Sequence, residues 1–335
     1  MKIAVDAMGG DHAPKETVRG SVGAALGLKD ITKIILVGDS EILNRELNRC
    51  KFKPSKIEIC HASEAVAMGE SPAQAIRRKK DSSISKAMDL VKSGEADAMV
   101  SAGNTGAVLV AAMLKLRPLE GVERPAIAMV MPTQQRPVVL IDVGANTDCS
   151  VKLLEQFAIM GSVYSKAILK QSKPVVGLLS IGGEEGKGNE ITKEACAALG
   201  KIAGLNFKGN VEGHDLFRGE TDVVVCDGFV GNVVLKTSES VVHAVQYWMS
   251  KEFHKNPMRL LGATLLKGAL KAMKRRMDPE LYGGAPLLGV NGTCIIAHGA
   301  SSGRAILNAI RVACESAQNR VDQLIMKEIA KTRAI

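Results

Sequence analysis

Residues 223–232 read Val223-Val224-Val225-Cys226-Asp227-Gly228-Phe229-Val230-Gly231-Asn232. Three valines and a cysteine in a row fit a buried strand of a parallel sheet. Asp227, two glycines and Asn232 then read as a turn, and the apolar run resuming at Val233 reads as a helix. The first N–H groups of a helix lack intrahelical acceptors, so a strand-turn-helix junction favours anions. In open α/β sheets, ligands sit beyond the carboxyl ends of the strands. A single turn of this kind fits a plain connection equally well, because any tight turn uses Gly.

Outward from this stretch the pattern recurs. Ile3-Ala4-Val5 runs into Asp6-Ala7-Met8-Gly9-Gly10-Asp11-His12. Ala98-Met99-Val100 runs into Ser101-Ala102-Gly103-Asn104-Thr105-Gly106. Val138 to Ile141 leads to Asp142-Val143-Gly144-Ala145-Asn146, and Val175 to Leu179 leads to Gly182-Gly183-Glu184-Glu185-Gly186-Lys187-Gly188-Asn189. Alternating strands and helices predict a three-layer α/β/α fold with a mostly parallel sheet. Neighbouring parallel strands are expected to gather these loops on one edge, lined with backbone donors, amides and hydroxyls, with Lys187 as a nearby cation.

The 335 residues suffice for one large α/β unit or two lobes around a cleft. Neither a close repeat nor a Pro- or Ser-rich linker divides them, so 1–335 is read as a single unit. Apolar residues at 46% and charged ones at 24% suit a soluble globular protein. Aromatics at 3% argue against a base-stacking surface, so no nucleic-acid partner is expected. Seven cysteines without C-x-x-C spacing read as reduced thiols, and the six histidines show no metal-ligand spacing. Strand-like residues from Lys2-Ile3 leave no signal-peptide pattern, and no apolar run is long enough to span a bilayer. A cytoplasmic protein is therefore expected.

In chain order, Ile34 to Val37 reads as a second strand, Glu41 to Arg49 as a short helix and Ile57 to Cys60 as a half-buried strand. A helix from Ala73 carries Arg77-Arg78-Lys79-Lys80; four bases in a row cannot all face a core, so they solvate the helix or meet an anionic partner. At 238–281 strands disappear and a helical arm is expected. Ser240 to Phe253 reads as one helix, Asn256-Pro257 breaks it, and Met258 to Met277 continues with interruptions at Gly262 and Gly268. Segment 251–277 holds eight Lys/Arg against one acid, which gives +7 of the overall +9. Leu266, Leu270, Met273 and Met277 share one side of a helix, and Leu260, Leu261 and Leu265 add apolar bulk at the tip. An apolar stripe flanked by bases fits a membrane interface or a dimer mate. Cys294 to Ala297 reads as a last strand ending at His298-Gly299, and Ala305 to Ile329 as an amphipathic helix.

Familiar catalytic signatures are missing. Gly182 lies too close to Gly186-Lys187 for a Walker loop, no G-x-G-x-x-G follows the first strand, and no G-x-S-x-G is present. Cys226 lies beside apolar residues and Asp227, which favours a buried structural thiol over a nucleophile.

The opening Met1-Lys2-Ile3-Ala4-Val5-Asp6-Ala7-Met8-Gly9-Gly10-Asp11-His12-Ala13-Pro14 resembles the start of the bacterial phosphate acyltransferases, the acyl-carrier-protein:phosphate transacylases of phospholipid synthesis (PlsX family). So do Ala75 to Lys80, Ser101 to Gly106, Asp142 to Asn146, Ala158 to Gly161, Lys187 to Glu190, Asp227 to Asn232 and Ala297 to Gly299. This resemblance implies transfer of a fatty acyl group from acyl carrier protein to inorganic phosphate, giving acyl phosphate for a downstream acyltransferase. It implies a homodimer, no organic cofactor, no metal, and a fold similar to isopropylmalate dehydrogenases and phosphotransacetylases. The family's catalytic pair matches Lys187 and Asn232. Phosphate binding is expected of Asp6, Gly9, Gly10, His12, Gly103, Asn104, Thr105, Gly144, Asn146, Gly186, Asn189, Asp227, Gly228 and Gly231. Acyl carrier protein is acidic, so Arg77, Arg78, Lys79 and Lys80 are its expected docking residues. Leu260, Leu261, Leu265 and Leu266 are expected to touch an anionic membrane surface, placing the protein peripherally at the inner face of the cell membrane. The alternatives are a phosphotransacetylase-like enzyme using acyl-CoA and a non-catalytic membrane scaffold.

Overall fold

Short runs of β-branched and small apolar residues pair into one sheet, and amphipathic helices cover both of its faces. A computed structural model of the chain describes residues 1–50, 55–277 and 279–333. The first part contains β1 (Lys2–Asp6), α1 (Lys15–Gly27), β2 (Lys33–Gly38), α2 (Ser40–Arg49), β3 (Ile57–His61), α3 (Pro72–Arg78), α4 (Ser83–Lys92), β4 (Ala98–Ser101) and α5 (Thr105–Lys115). Next come β5 (Ala126–Met131), β6 (Val138–Ile141), α6 (Val151–Ile168), β7 (Val176–Leu179), α7 (Glu190–Leu199), β8 (Phe207–Val211) and β9 (Val223–Val225). The arm is α8 (Gly228–Phe253), α9 (Pro257–Leu265) and α10 (Lys267–Arg276). The chain returns through β10 (Ala285–Leu288) and β11 (Thr293–Ile296) to α11 (Gly303–Gln318) and α12 (Val321–Arg333).

The described strands order as β3-β2-β1-β4-β11-β10-β5-β6-β9-β7-β8. Both outer parts are parallel, β3-β2-β1-β4-β11 and β6-β9-β7-β8. Between them β11–β10, β10–β5 and β5–β6 pair antiparallel. The two parallel halves therefore run in opposite senses, which corrects the expectation that strand direction alone puts all the loops on one edge. Neighbouring strands rotate by roughly 20–25°, so the six steps from β1 to β9 turn the sheet through roughly 120–150°. That twist brings the carboxyl ends of the halves back toward one side. Two packing facts agree. Val234 and Leu235 of α8, which follows β9, pack against a core shared with Ile76, Ile84 and Val108 of α3, α4 and α5. Lys236 of α8 meets His298 at the end of β11.

The three layers follow from three apolar clusters. One lies between the first half and α1, α2 and α11, and a second between the other half and α6, α7 and α12. The third runs across both halves on the opposite face, from Ile35 and Met99 to Leu140 and Val224.

Helix boundaries depart from expectation at three places. First, α8 begins at Gly228, so Gly228, Gly231 and Asn232 belong to its first turns and not to a loop. Asp227 caps it, its Oδ1 accepting from Val230 N at 2.8 Å. Second, the arm breaks at Leu266 (φ −85°, ψ 3°), with Gly262 and Gly268 inside helices. Third, the C-terminal helix is two helices, parted at Asn319 and Arg320, the latter with φ 50°.

Candidate active site

At the end of β6 the chain buries a carboxylate. Asp142 is fully buried; its Oδ1 accepts from the N–H groups of Ile127 (3.0 Å), Gly144 (3.2 Å) and Ala145 (3.1 Å). Its Oδ2 accepts from Asn146 N (2.7 Å) and Asn146 Nδ2 (3.0 Å). Burial lifts the carboxyl above its ordinary range, and the donors from Ala145, Asn146 and Ile127 oppose that lift. The carboxylate thereby winds residues 143–146 into a fixed turn. Gly144 has φ +138°, a conformation that favours Gly, and a Cβ there would lie 3.8 Å from Cβ of Asn232. Asn232 is exposed, with its side chain beside this turn.

The start of α8 is locked to the same turn. Gly228 N donates to Asn146 O at 2.6 Å, and Asn146 Nδ2 also donates to Pro125 O at 2.8 Å. Gly228 N, the Asn146 amide nitrogen and Asp227 Oδ1 thus hold the turn and the helix start together. Gly231 is where the helix backbone touches the end of β6.

The adjacent loop, after β7, carries Lys187. Its N–H donates to Glu184 O at 3.0 Å, and its carbonyl accepts from Ser180 Oγ at 3.2 Å. Asn210 Nδ2 ties the same loop through Glu184 O at 2.8 Å. Asn189 caps α7, its Oδ1 accepting from Thr192 N and Oγ1 at 2.8 Å each. The root of Lys187 is therefore fixed and its side chain exposed; among the described residues its ammonium makes no ion pair. Gly186 lies exposed in the same loop. Strands β6, β9 and β7 are neighbours and parallel, so the turns holding Gly144, Asn232 and Lys187 share one edge.

The first half repeats the device. Asp6 is fully buried; its Oδ2 accepts from Ser101 Oγ at 2.6 Å and its Oδ1 from Met8 N at 3.3 Å. Burial pushes its carboxyl up, against the hydrogen bonds of Ser101, Ser83 and Met8. A Cβ at Gly9 would lie 2.4 Å from Asp6 Oδ2 and 2.8 Å from Gly103 Cα, so the two glycine turns touch. Asp6 supports these glycine turns through its hydrogen bonds. Asn104 caps α5 through its Oδ1, and its Nδ2 donates to Met68 O and Glu70 O. Gly10 has φ +109° and packs against Gly299 O, while His12 and Thr105 are exposed.

A family model described as fatty acid synthesis protein matches residues 1–324. The phosphate acyltransferase of Pelotomaculum thermopropionicum is 52% identical over 329 residues, 98% of this chain and 95% of that protein. The phosphate acyltransferase of Halothermothrix orenii is 48% identical over 332 residues, 99% of each. The chain belongs to the phosphate acyltransferase family. Among solved structures, a phosphotransacetylase from Streptococcus pyogenes superposes with a TM-score of 0.64 at 18% identity, covering 95% of this chain and 94% of that one. That likeness speaks to the fold alone.

Cys226 lies under the β6 turn, its thiol 3.5 Å from Asp142 O. Burial pushes the thiol well above its usual range, and Asp227 and Asp142 add to the shift. It stays a protonated core thiol at neutral pH. In the basic run, Arg77, Arg78 and Lys80 are exposed. Lys79 differs, because its ammonium bonds Glu70 Oε1 at 2.6 Å and Ala65 O at 2.8 Å. Its charge is engaged by Glu70 within the protein. Sequence reasoning gave no role to Ser101, Asp142, Lys236 or His298. The available signal was position: each ends a strand or lies one turn beyond a singled-out residue.

Proposed function

We propose that this protein transfers an acyl group from the thioester of acyl carrier protein to inorganic phosphate. A phosphate oxygen attacks the thioester carbonyl, the oxyanion collapses, the C–S bond breaks, and the carrier leaves as a thiolate that takes up a proton. The products are acyl phosphate and free carrier. The observation that carries this reading is the shared edge: exposed Asn232 beside the Gly144 turn, and exposed Lys187 in the next loop, in a phosphate acyltransferase. Lys187 offers positive charge to phosphate and to the forming acyl phosphate. The Asn232 amide offers a donor to the developing oxyanion or to phosphate. Direct attack needs no protein nucleophile, and the buried Cys226 is in no position to be one.

Carrier-bound donor is favoured by the exposed Arg77, Arg78 and Lys80, which would steer an acidic partner. The test is purified protein with phosphate and either long-chain acyl carrier protein or acyl-CoA, with acyl phosphate measured. Turnover with the carrier, and a higher KM for it alone in Arg77→Glu with Arg78→Glu, is expected. Activity confined to acyl-CoA would make the donor a free thioester, and absence of turnover with both would leave a scaffold.

We assign the arm to self-association and membrane contact. Along α8, Tyr247 and Trp248 are 64% and 61% exposed, far more apolar surface than a solvated helix needs. In α9 no residue is buried; Leu261 and Leu265 are 57% and 80% exposed, and Leu260 and Leu266 also face solvent. No helix among the described residues is long and apolar enough to cross a membrane. A paired arm would bury α8 and lay the leucines of α9, flanked by Lys and Arg, on an anionic surface. Each base near such a surface adds about 1 kcal/mol, screened by salt. Leu260→Glu with Leu261→Glu is expected to abolish flotation with anionic vesicles while dimer and activity persist. Unchanged flotation would move the contact elsewhere, and a monomeric variant would assign these leucines to the dimer.

A further inference from the structure

Lys236 stands one helical turn beyond Asn232 on α8, about 6 Å along the axis, so the two side chains share a face. Its ammonium lies 3.3 Å from Nε2 of His298, in the loop that follows β11. Nδ1 of His298 accepts from Ala300 N at 3.2 Å. A neutral imidazole whose Nδ1 accepts carries its proton on Nε2. An ammonium has donors and no lone pair. Two donors therefore face each other across 3.3 Å. Glu239 takes one direction of the ammonium, Oε2 lying 2.8 Å from Nζ, and leaves the other two directions open. Nothing in the local backbone requires the pair: Lys236 sits mid-helix and His298 at a loop, and both are exposed.

What satisfies two converging donors is a shared oxygen, and an anionic one most strongly. We infer that Lys236 and His298 together form a subsite for a phosphate oxygen, held across the two halves of the sheet. This inference rests on the function proposed above. That reaction brings two such groups to the protein: free inorganic phosphate, and the phosphodiester that joins the pantetheine arm to its carrier. The position one turn from Asn232 suits inorganic phosphate directly, because phosphate must reach the thioester carbonyl; the phosphodiester, a whole pantetheine arm away from that carbonyl, reaches the position only with the arm folded back.

The experiment uses the full chain and the variants Lys236→Met, His298→Gln and the double variant. Binding is followed by phosphorus NMR with inorganic phosphate alone and with phosphopantetheine alone. The KM for phosphate and the KM for acyl carrier protein are measured on the same preparations. Losing a hydrogen bond to a charged group weakens binding roughly ten- to a hundredfold, and that loss is expected for one of the two probes in each single variant. The KM for the corresponding substrate should rise in step, with the other KM unchanged. A loss confined to inorganic phosphate assigns the acceptor, and one confined to phosphopantetheine assigns the donor arm. Lys236→Arg, which keeps the charge, should recover part of the lost affinity. If both probes bind all variants as they bind the natural chain, and melting curves coincide, the subsite does not exist. NMR binding needs no turnover, so a failed acyl-transfer assay with intact probe binding would sink the reaction and leave the subsite.

Discussion

Asn232→Ala is expected to lower kcat and kcat/KM together by roughly a hundred- to a thousandfold, the usual loss of about 2.7–4 kcal/mol for one oxyanion donor. Its folding should be unaffected. Asn232 is exposed on α8, its side chain beside a glycine, and its amide makes no hydrogen bond among the described residues. A side chain that does so little for the structure can be removed without a structural cost. Lys187→Ala should lose a similar factor, because its loop is held by backbone contacts and by Asn210, not by its ammonium. Asn232→Asp sharpens the test: it keeps the shape, replaces a donor by an acceptor and adds a charge that repels phosphate. It should be at least as damaging as Ala. Steady-state kinetics with melting curves on the same preparations decide the matter. Near-natural rates in Asn232→Ala would take the residue out of the reaction.

β1, β2, β3, β4, β6, β7, β9 and β11 were legible as short apolar or alternating runs, several of them closed by Gly, Asp or Asn, whereas β5, β8 and β10 carry no such signature and were not expected. The central reversal is written in the lengths of two connections. Only residues 132–137 separate β5 from β6, and only 289–292 separate β10 from β11. Such links are too short for a parallel crossover, which takes a dozen residues or more. The start of α8 was hidden for a different reason. Glycine at 228 and 231 reads as a turn by propensity, and its cause is tertiary: a Cβ at Gly228 would lie 2.6 Å from Asn146 O. Asp6 and Asp142 have the composition of ordinary turn caps, and nothing local separates them from solvated acids. Burial turned them into supports, a property of packing that no spacing encodes. Lys79 likewise reads as one of four equal bases until the fold sets Glu70 against it.

Gly231→Ala is expected to cost the fold more than a typical overpacking mutation, above about 3 kcal/mol, and to abolish activity even where the protein stays soluble. A Cβ at this position would lie 1.9 Å from the carbonyl oxygen of Asp142 and 2.9 Å from Cys226 Sγ. Neither neighbour can yield cheaply. The Asp142 carbonyl belongs to a residue whose carboxylate is fastened by the N–H groups of Ile127, Gly144, Ala145 and Asn146. Cys226 is packed at the end of β9 and fully enclosed. Relief must come from α8 lifting off β6, and that movement carries the next residue, Asn232, away from the Gly144 turn. Stability and catalysis should therefore fall together. Gly262→Ala supplies the contrast: a Cβ there meets nothing within 4 Å, and the residue lies inside α9. That change should gain roughly 0.5–1 kcal/mol for its helix and leave turnover as it was. Thermal melting and kcat for the two variants read out the difference. A Gly231→Ala protein with natural stability and natural rate would show that α8 does not rest on β6 at this residue, and the support proposed for Asn232 would fall with it.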